Sequence, residues 1–259
     1  MKTALVIEYL VRWLGHYCDS AGMNGFVVGI SGGIDSAVTS TLCAQTGKQT
    51  MLLNMPIYQA RDQFDRAGQH TSWLEQRYPS VRGSTVDLTP VFQSIEQVFP
   101  AGIQDGLTMA NTRARLRMLT LYAQSSHHRL LVVGTGNKVE DFGIGFFTKY
   151  GDGGVDISPI ADLMKTEVYA IGRALGISQD ILTCPSTDGL WQDNRTDESQ
   201  IGATYPELEQ AMLFDAAPRD ETLLSAREKE VLAIYRKFNR ANRHKIEPIA
   251  CAKIPAELR

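Results

Sequence analysis

The chain has 259 residues, 43% of them hydrophobic, and a formal net charge of −3. That length can bury a sizeable core, and the charge argues against a generic nucleic-acid binder. Cys18, Cys43, Cys184 and Cys251 lie far apart with no CxxC pair, which argues against a zinc site or a disulfide framework and for reduced thiols in the cytoplasm.

No internal repeat or low-complexity linker divides the sequence, so residues 1–259 read as a single domain. Residues 3–18 predict an amphipathic helix carried by Val6, Tyr9, Leu10, Trp13 and Tyr17. Glu8 and Arg12 break the apolar core that a signal peptide would need. No apolar run approaches the ~20 residues that span a bilayer, so no membrane partner is expected. Residues 26–30 predict a buried strand running into Ser31-Gly32-Gly33, then a helix over about 35–46. A second strand covers 50–55 and stops at Pro56; 61–77 read as helix, and 86–88 as a short strand. Thr89-Pro90 suggests an N-cap followed by proline at the first helical position. A helix over 107–125 precedes an apolar strand, 129–133, ended by Gly134-Thr135-Gly136. Further helices are expected at 164–175, 205–214 and 225–242, the last with Val231, Ile234, Tyr235 and Phe238 towards the core. Residues 143–158 and 184–204, rich in Gly, Asp and Thr, read as active-site segments that close over bound substrate.

Alternating helices and apolar strands imply an α/β fold, a doubly wound parallel sheet flanked by helices. Ligands bind such sheets beyond the carboxyl ends of the strands. The glycine-rich strand ends at 31–33 and 134–136 therefore mark one crevice.

The stretch Gly29-Ile30-Ser31-Gly32-Gly33-Ile34-Asp35-Ser36 is the most specific local feature. Glycines let backbone N–H groups approach phosphate oxygens, the helix N-terminus adds donors and a favourable dipole, and Ser31 and Ser36 add hydroxyls. It lacks the lysine of a Walker A loop and is not G-x-G-x-x-G. Asp35 beside phosphates would be repulsive without a cation between them, which implies Mg²⁺. Taken alone, a plain strand-to-helix turn remains open.

Ser-Gly-Gly-Ile-Asp-Ser resembles the SGGxDS signature of the N-type ATP pyrophosphatases, enzymes that split ATP between its α and β phosphates and adenylate a carbonyl oxygen. Residues 145–156, GFFTKYGDGGVD, resemble the GxFTKYGDGGxD block of the NAD synthetases within that group. So do Asn111 to Met118, Gly134-Thr135, Asn137-Lys138 with Glu140, Pro159 to Lys165, Pro185 to Trp191, Thr196-Asp197-Glu198 and His244-Lys245. The resemblance implies an adenine nucleotide alpha-hydrolase-like, Rossmann-like fold and a cytoplasmic, ammonia-dependent ligase. It would convert ATP, deamido-NAD and ammonia into NAD, AMP and diphosphate.

By that resemblance residues 29–36, Thr135, Lys165 and Thr187 bind ATP, and Asp35 and Glu140 hold Mg²⁺. Arg115, Lys149, Asp156, His244 and Lys245 bind deamido-NAD, and the enzyme is a homodimer. No side chain is expected to act as a covalent nucleophile, because both reacting groups belong to substrates. Other readings stay open for the residues alone: Arg113, Arg115 and Arg117 as a solvated charge run, and His244-Lys245 as charge at a helix C-terminus. Lys165 opens a helix, where a cation needs an anionic partner. Two departures stand out. Four residues separate Glu140 from Gly145 where some members have three, and Ile246 stands where many have Arg. The phosphate loop begins about thirty residues in, which leaves no room before it for a glutaminase domain and makes free ammonia the expected donor, unless a separate glutaminase subunit supplies it. The rivals are an RNA-modifying adenylating enzyme, disfavoured by charge, and a nucleotide-binding regulator, disfavoured by the retained Asp35 and Glu140.

Overall fold

The computed structural model describes residues 1–187, 196–217 and 220–259. Helix α1 (Thr3–Ser20) turns Leu10, Leu14 and Cys18 inward and leaves Tyr9 and Tyr17 exposed, so its buried seam is displaced from the expected stripe. Leu10, Leu14 and Cys18 are four apart and form one line, while Trp13 and Tyr17 pair at its flank with ring centroids 5.5 Å apart. Strand β1 (Gly25–Gly29) leads through the glycine-rich turn into α2 (Ile34–Gln45), then β2 (Gln49–Asn54) and α3 (Arg61–Arg77). Next come β3 (Val81–Thr85), α4 (Thr89–Val98), α5 (Gly106–His128) and β4 (Leu130–Val132). A seven-residue π turn, Lys138–Ile144, is followed by α6 (Lys165–Leu175), α7 (Gln179–Leu182), α8 (Asp197–Ile201), α9 (Tyr205–Ala216) and α10 (Ala226–Ile246).

Among the described residues the four strands are all parallel, in the order β3-β2-β1-β4. Alternation along β1 explains the two faces. Phe26 and Val28 pack with α1, α2, α3 and α6, whereas Val27 packs with Phe92 of α4 and Met109 and Leu116 of α5. Full burial of a side chain such as Phe26 contributes roughly 1.5–3 kcal/mol. A third apolar cluster joins Val139 and Ile144 of the π turn to Leu208 of α9 and Val231, Leu232 and Tyr235 of α10. The fold is therefore the expected parallel sheet flanked by helices.

The expected strand at 86–88 is misplaced. The third strand is Val81–Thr85, an edge strand with only Val81 buried, so it carries no apolar run to read. Val86 and Leu88 instead follow it, with N–H groups donating to Asn54 O (2.9 Å) and Pro56 O (3.0 Å). Thr89 is the first residue of α4 rather than its cap; its N–H donates to Asp87 Oδ1 at 2.9 Å, and Pro90 lies in the first turn. Among the described residues no helix is long and apolar enough to cross a membrane.

Candidate active site

After β1 the chain turns to β2 and β3 on one side, while β4 lies on the other. The carboxyl ends of β1 and β4 thus flank the switch point where open parallel sheets hold ligands. One cavity opens there, lined by residues 29–36, Thr135, Glu140, Lys165 and Thr187. These are all the positions assigned to ATP and metal by sequence, drawn together from five segments. Of the Pro185 to Trp191 stretch, the part beyond Thr187 lies outside the described residues.

The loop is pre-formed by its own hydroxyls. Ser31 N–H and Gly33 N–H donate to Ser36 Oγ (3.3 Å) and Ser31 Oγ (3.2 Å), and Ser36 Oγ donates to Gly33 O at 3.0 Å. Gly32 has φ +84°, and a Cβ there would stand 2.6 Å from Gln63 O of α3, so glycine is required on both counts. The first N–H groups of α2 have no partner within the helix and remain as donors beside the loop.

Across the cavity the charges are crossed. Lys165 Nζ, in a residue 1% exposed, donates to Asp35 Oδ2 at 2.6 Å and Glu140 Oε1 at 2.9 Å. Asn137 Nδ2 bridges the same acids, at 3.1 Å to Asp35 Oδ1 and 2.8 Å to Glu140 Oε2. Its Oδ1 accepts from the N–H groups of Val139 and Glu140, both at 3.1 Å, and so caps the π turn. Tyr205 OH donates to Glu140, and Asp197 Oδ2 lies 3.1 Å from the same hydroxyl. Burial pulls the Lys165 ammonium down, but Asp35 and Glu140 together hold it above the ordinary lysine value. Burial pushes the Asp35 carboxyl up against the opposing pull of Lys165. Breaking such a buried set from one side costs about 3–5 kcal/mol.

Asp35 and Glu140 therefore face one position already occupied by a cationic group. They fit a divalent ion if the ammonium moves aside. Among the described residues no three His, Cys, Asp or Glu side chains converge on a metal position, so phosphate oxygens and water must complete any shell.

The four residues between Glu140 and Gly145 take a specific local form. Residues Lys138–Ile144 take π-helical geometry, which absorbs one residue in a turn, and Gly145 (φ +65°) ends it. Glu140 keeps its place at the cavity, and Asp141 is brought to its wall. Burial, then repulsion from Asp152, Glu140 and Asp35, pushes the Asp141 carboxyl well above its ordinary value.

The residues assigned to the dinucleotide do not line this cavity. Arg115 Nε donates to Lys149 O (3.3 Å), Lys149 Nζ to His244 O (2.7 Å) and Lys245 Nζ to Phe147 O (2.7 Å). Asp156 accepts from Tyr122 OH (2.9 Å) and Val132 N–H (2.8 Å), which ties the glycine-rich segment to β4. His244, Lys245 and Ile246 form the last turn of α10. Asn111 and Arg115, one turn apart on α5, meet the same segment: Asn111 Oδ1 accepts from Thr148 Oγ1 at 2.5 Å beside the Arg115 contact to Lys149 O.

Sequence reading missed Tyr205, Asp141, Arg66 and Arg117. Arg117, left open as part of a solvated charge run, reaches the cavity and donates Nε to Met55 O at 3.0 Å. Burial, with Arg113 nearby, draws its guanidinium down to about 10. The lack of an apolar stripe on α5 was the available signal for Arg117; Tyr205 gave none beyond its place next to the Pro206 that opens a helix.

The family model described as NAD synthase matches residues 6–249. The chain is 36% identical over 229 residues to the NH(3)-dependent NAD(+) synthetase of Mannheimia succiniciproducens, covering 86% of this chain and 87% of that protein. It is 32% identical to the NH(3)-dependent NAD(+) synthetase of Syntrophomonas wolfei subsp. wolfei, each covered over its full length. Among solved structures, the NMN synthetase from Francisella tularensis superposes with a TM-score of 0.86 at 30% identity, over 98% of this chain and 100% of that one.

Proposed function

The chain belongs to the NAD synthase family, and from that premise we propose that it catalyses the ATP-dependent amidation of deamido-NAD with ammonia, yielding NAD, AMP and diphosphate. It is a ligase that forms a C–N bond in the last step of NAD biosynthesis. The observation that carries the reading is the cavity that unites the SGGIDS loop with Glu140, Lys165 and Thr187.

The nicotinate carboxylate attacks the α-phosphorus of ATP, forming an acyl adenylate as the α–β bond breaks and diphosphate leaves. Ammonia then attacks the acyl carbon, the amide C–N bond forms, and AMP leaves with the carboxylate oxygen. No side chain need become covalently attached, so the protein's part is positioning and electrostatics. The N–H groups of Gly32 and of the first turn of α2, which the loop's own hydroxyls do not engage, cradle the phosphates. Lys165, released from its carboxylates, turns its ammonium to the departing diphosphate. Asp35 and Glu140 would hold Mg²⁺, which neutralises charge on the phosphate oxygens. Arg115, Lys149, Asp156, His244 and Lys245 serve the dinucleotide. The enzyme acts as a cytoplasmic homodimer, and residues 1–259 work as one unit.

The test is one incubation with ATP, Mg²⁺, ammonium and deamido-NAD, followed by chromatography. NAD, AMP and diphosphate in equal amounts are expected, and ADP as the nucleotide product would overturn the reading. A parallel incubation replaces deamido-NAD by nicotinate mononucleotide, because the Francisella protein is an NMN synthetase. Faster turnover there would move the substrate from dinucleotide to mononucleotide while leaving the chemistry unchanged.

A further inference from the structure

We propose that Arg66 of α3 is a phosphate-binding residue that grips the terminal phosphates of ATP and the diphosphate it becomes. The inference rests on the ATP site proposed above and adds a cation that neither the loop motif nor the family resemblance supplied.

The SGGIDS loop contains no lysine or arginine. Lys165, the cation on the far wall, is engaged by both Asp35 and Glu140. While Lys165 stays with its carboxylates, the cradle's positive charge must come from another side chain. Arg66 lines the same cavity, and its side chain is 16% exposed. Its root lies against the loop, since a Cβ on Gly32 would stand 3.4 Å from Arg66 Cβ. Nη1 donates to Asp62 Oδ2 at 2.8 Å, one turn earlier on the same helix, and that carboxylate is 68% exposed. Nε is buried and has no acceptor among the described residues. A buried guanidinium N–H without an acceptor is costly and marks a missing partner.

The other arginine in the cavity is placed differently. Arg117 comes from α5, which covers the opposite sheet face, and its Nε is used by Met55 O. The loop leads into α2, and α2 and α3 cover the same face. Arg66 thus stands on the phosphate side and Arg117 on the side of Met55. The planar fork of a guanidinium suits a phosphate with two donors, and Asp62, being exposed, is easily exchanged for it.

The proposal is tested by calorimetric titration of wild type, Arg66→Gln and Arg66→Lys with α,β-methylene-ATP, with AMP and with diphosphate, all with Mg²⁺. Arg66→Gln should weaken the ATP analogue and diphosphate by roughly tenfold to a hundredfold and AMP by less than about twofold. Arg66→Lys should recover part of the loss. Equal weakening of AMP and the analogue, or no change in either, would overturn it. If Arg66→Gln lowers Tm enough to unfold the protein, the Lys variant decides, by the ratio of its analogue and AMP affinities to those of wild type. Failure of wild type to bind the analogue would instead count against the proposed function, so the two ideas fail separately.

Discussion

The two halves of the candidate site are built on different principles. On the ATP side every assigned residue lines one cavity, and the side chains are locked by one another: Lys165 to Asp35 and Glu140, Asn137 to both acids, Tyr205 to Glu140. On the dinucleotide side Arg115, Lys149 and Lys245 donate to backbone carbonyls, Lys149 to His244 O and Lys245 to Phe147 O. The first half sits directly on strand ends and a helix start, where sheet packing fixes position. The second joins the glycine-rich segment to the last turn of α10. A ligand phosphate can replace a carbonyl on an ammonium at little cost, whereas the buried triple must be broken as a set. The ATP half should thus respond to mutation in stability and catalysis together, and the dinucleotide half in substrate affinity alone.

The largest effect should come from Lys165→Met. It leaves Asp35 and Glu140 facing each other without their cation, a loss of about 3–5 kcal/mol that should lower Tm by roughly 10 °C. Turnover should fall by at least about a hundredfold. Mg²⁺ alone should restore part of the lost Tm in the variant, because the carboxylates are then free for it, and should leave nucleotide-free wild type nearly unmoved. Calorimetric scans of both proteins with and without Mg²⁺ check this; an equal Mg²⁺ response in the two would mean that the ammonium does not hold the metal position.

A smaller, more selective effect is expected from Lys149→Met. Its Nζ reaches His244 O from the turn that Arg115 also touches. The KM for deamido-NAD should rise roughly tenfold while the KM for ATP stays within about twofold. Steady-state kinetics with each substrate varied in turn provides the measurement. A parallel rise in both constants would mean that the two halves are one mechanical unit and that their contrast is only apparent.

What could be read from sequence follows a different division, between contiguous runs and contacts made across the fold. The phosphate loop and the GFFTKYGDGG block are runs of neighbours, so residue order alone carries their chemistry, and the strand-to-helix setting of the loop follows from local pattern. Tyr205 meets Glu140 across 65 positions, and that contact depends on how α9 and α10 pack on the π turn, which no local periodicity encodes. The π turn itself has no signature in local periodicity. Arg66 lies in a polar helix whose charges all look solvated until Gly32 is seen against it. Strand β3 was lost because an edge strand with one buried residue carries no apolar signature.

Asp141, the residue of the π turn that follows Glu140, feels groups of both halves. It feels Glu140 and Asp35 on one side and Lys245 on the other, and burial with three like-charged neighbours raises its carboxyl well above the ordinary value. Because the folded protein holds this proton more tightly than the unfolded chain, the group is neutral to stability below the usual carboxyl range. Above that range the unfolded chain loses its proton first, so stability declines as pH rises towards the folded value. Asp141→Asn removes that penalty. Its Tm should match wild type near pH 4 and exceed it by a few degrees at pH 7, a smaller change than either lysine substitution should bring. Thermal scans across that interval check both ends. A lower Tm for the variant at pH 7 would mean that Lys245 stabilises the charged carboxylate, and that a single ion pair already ties the ATP half to the dinucleotide half.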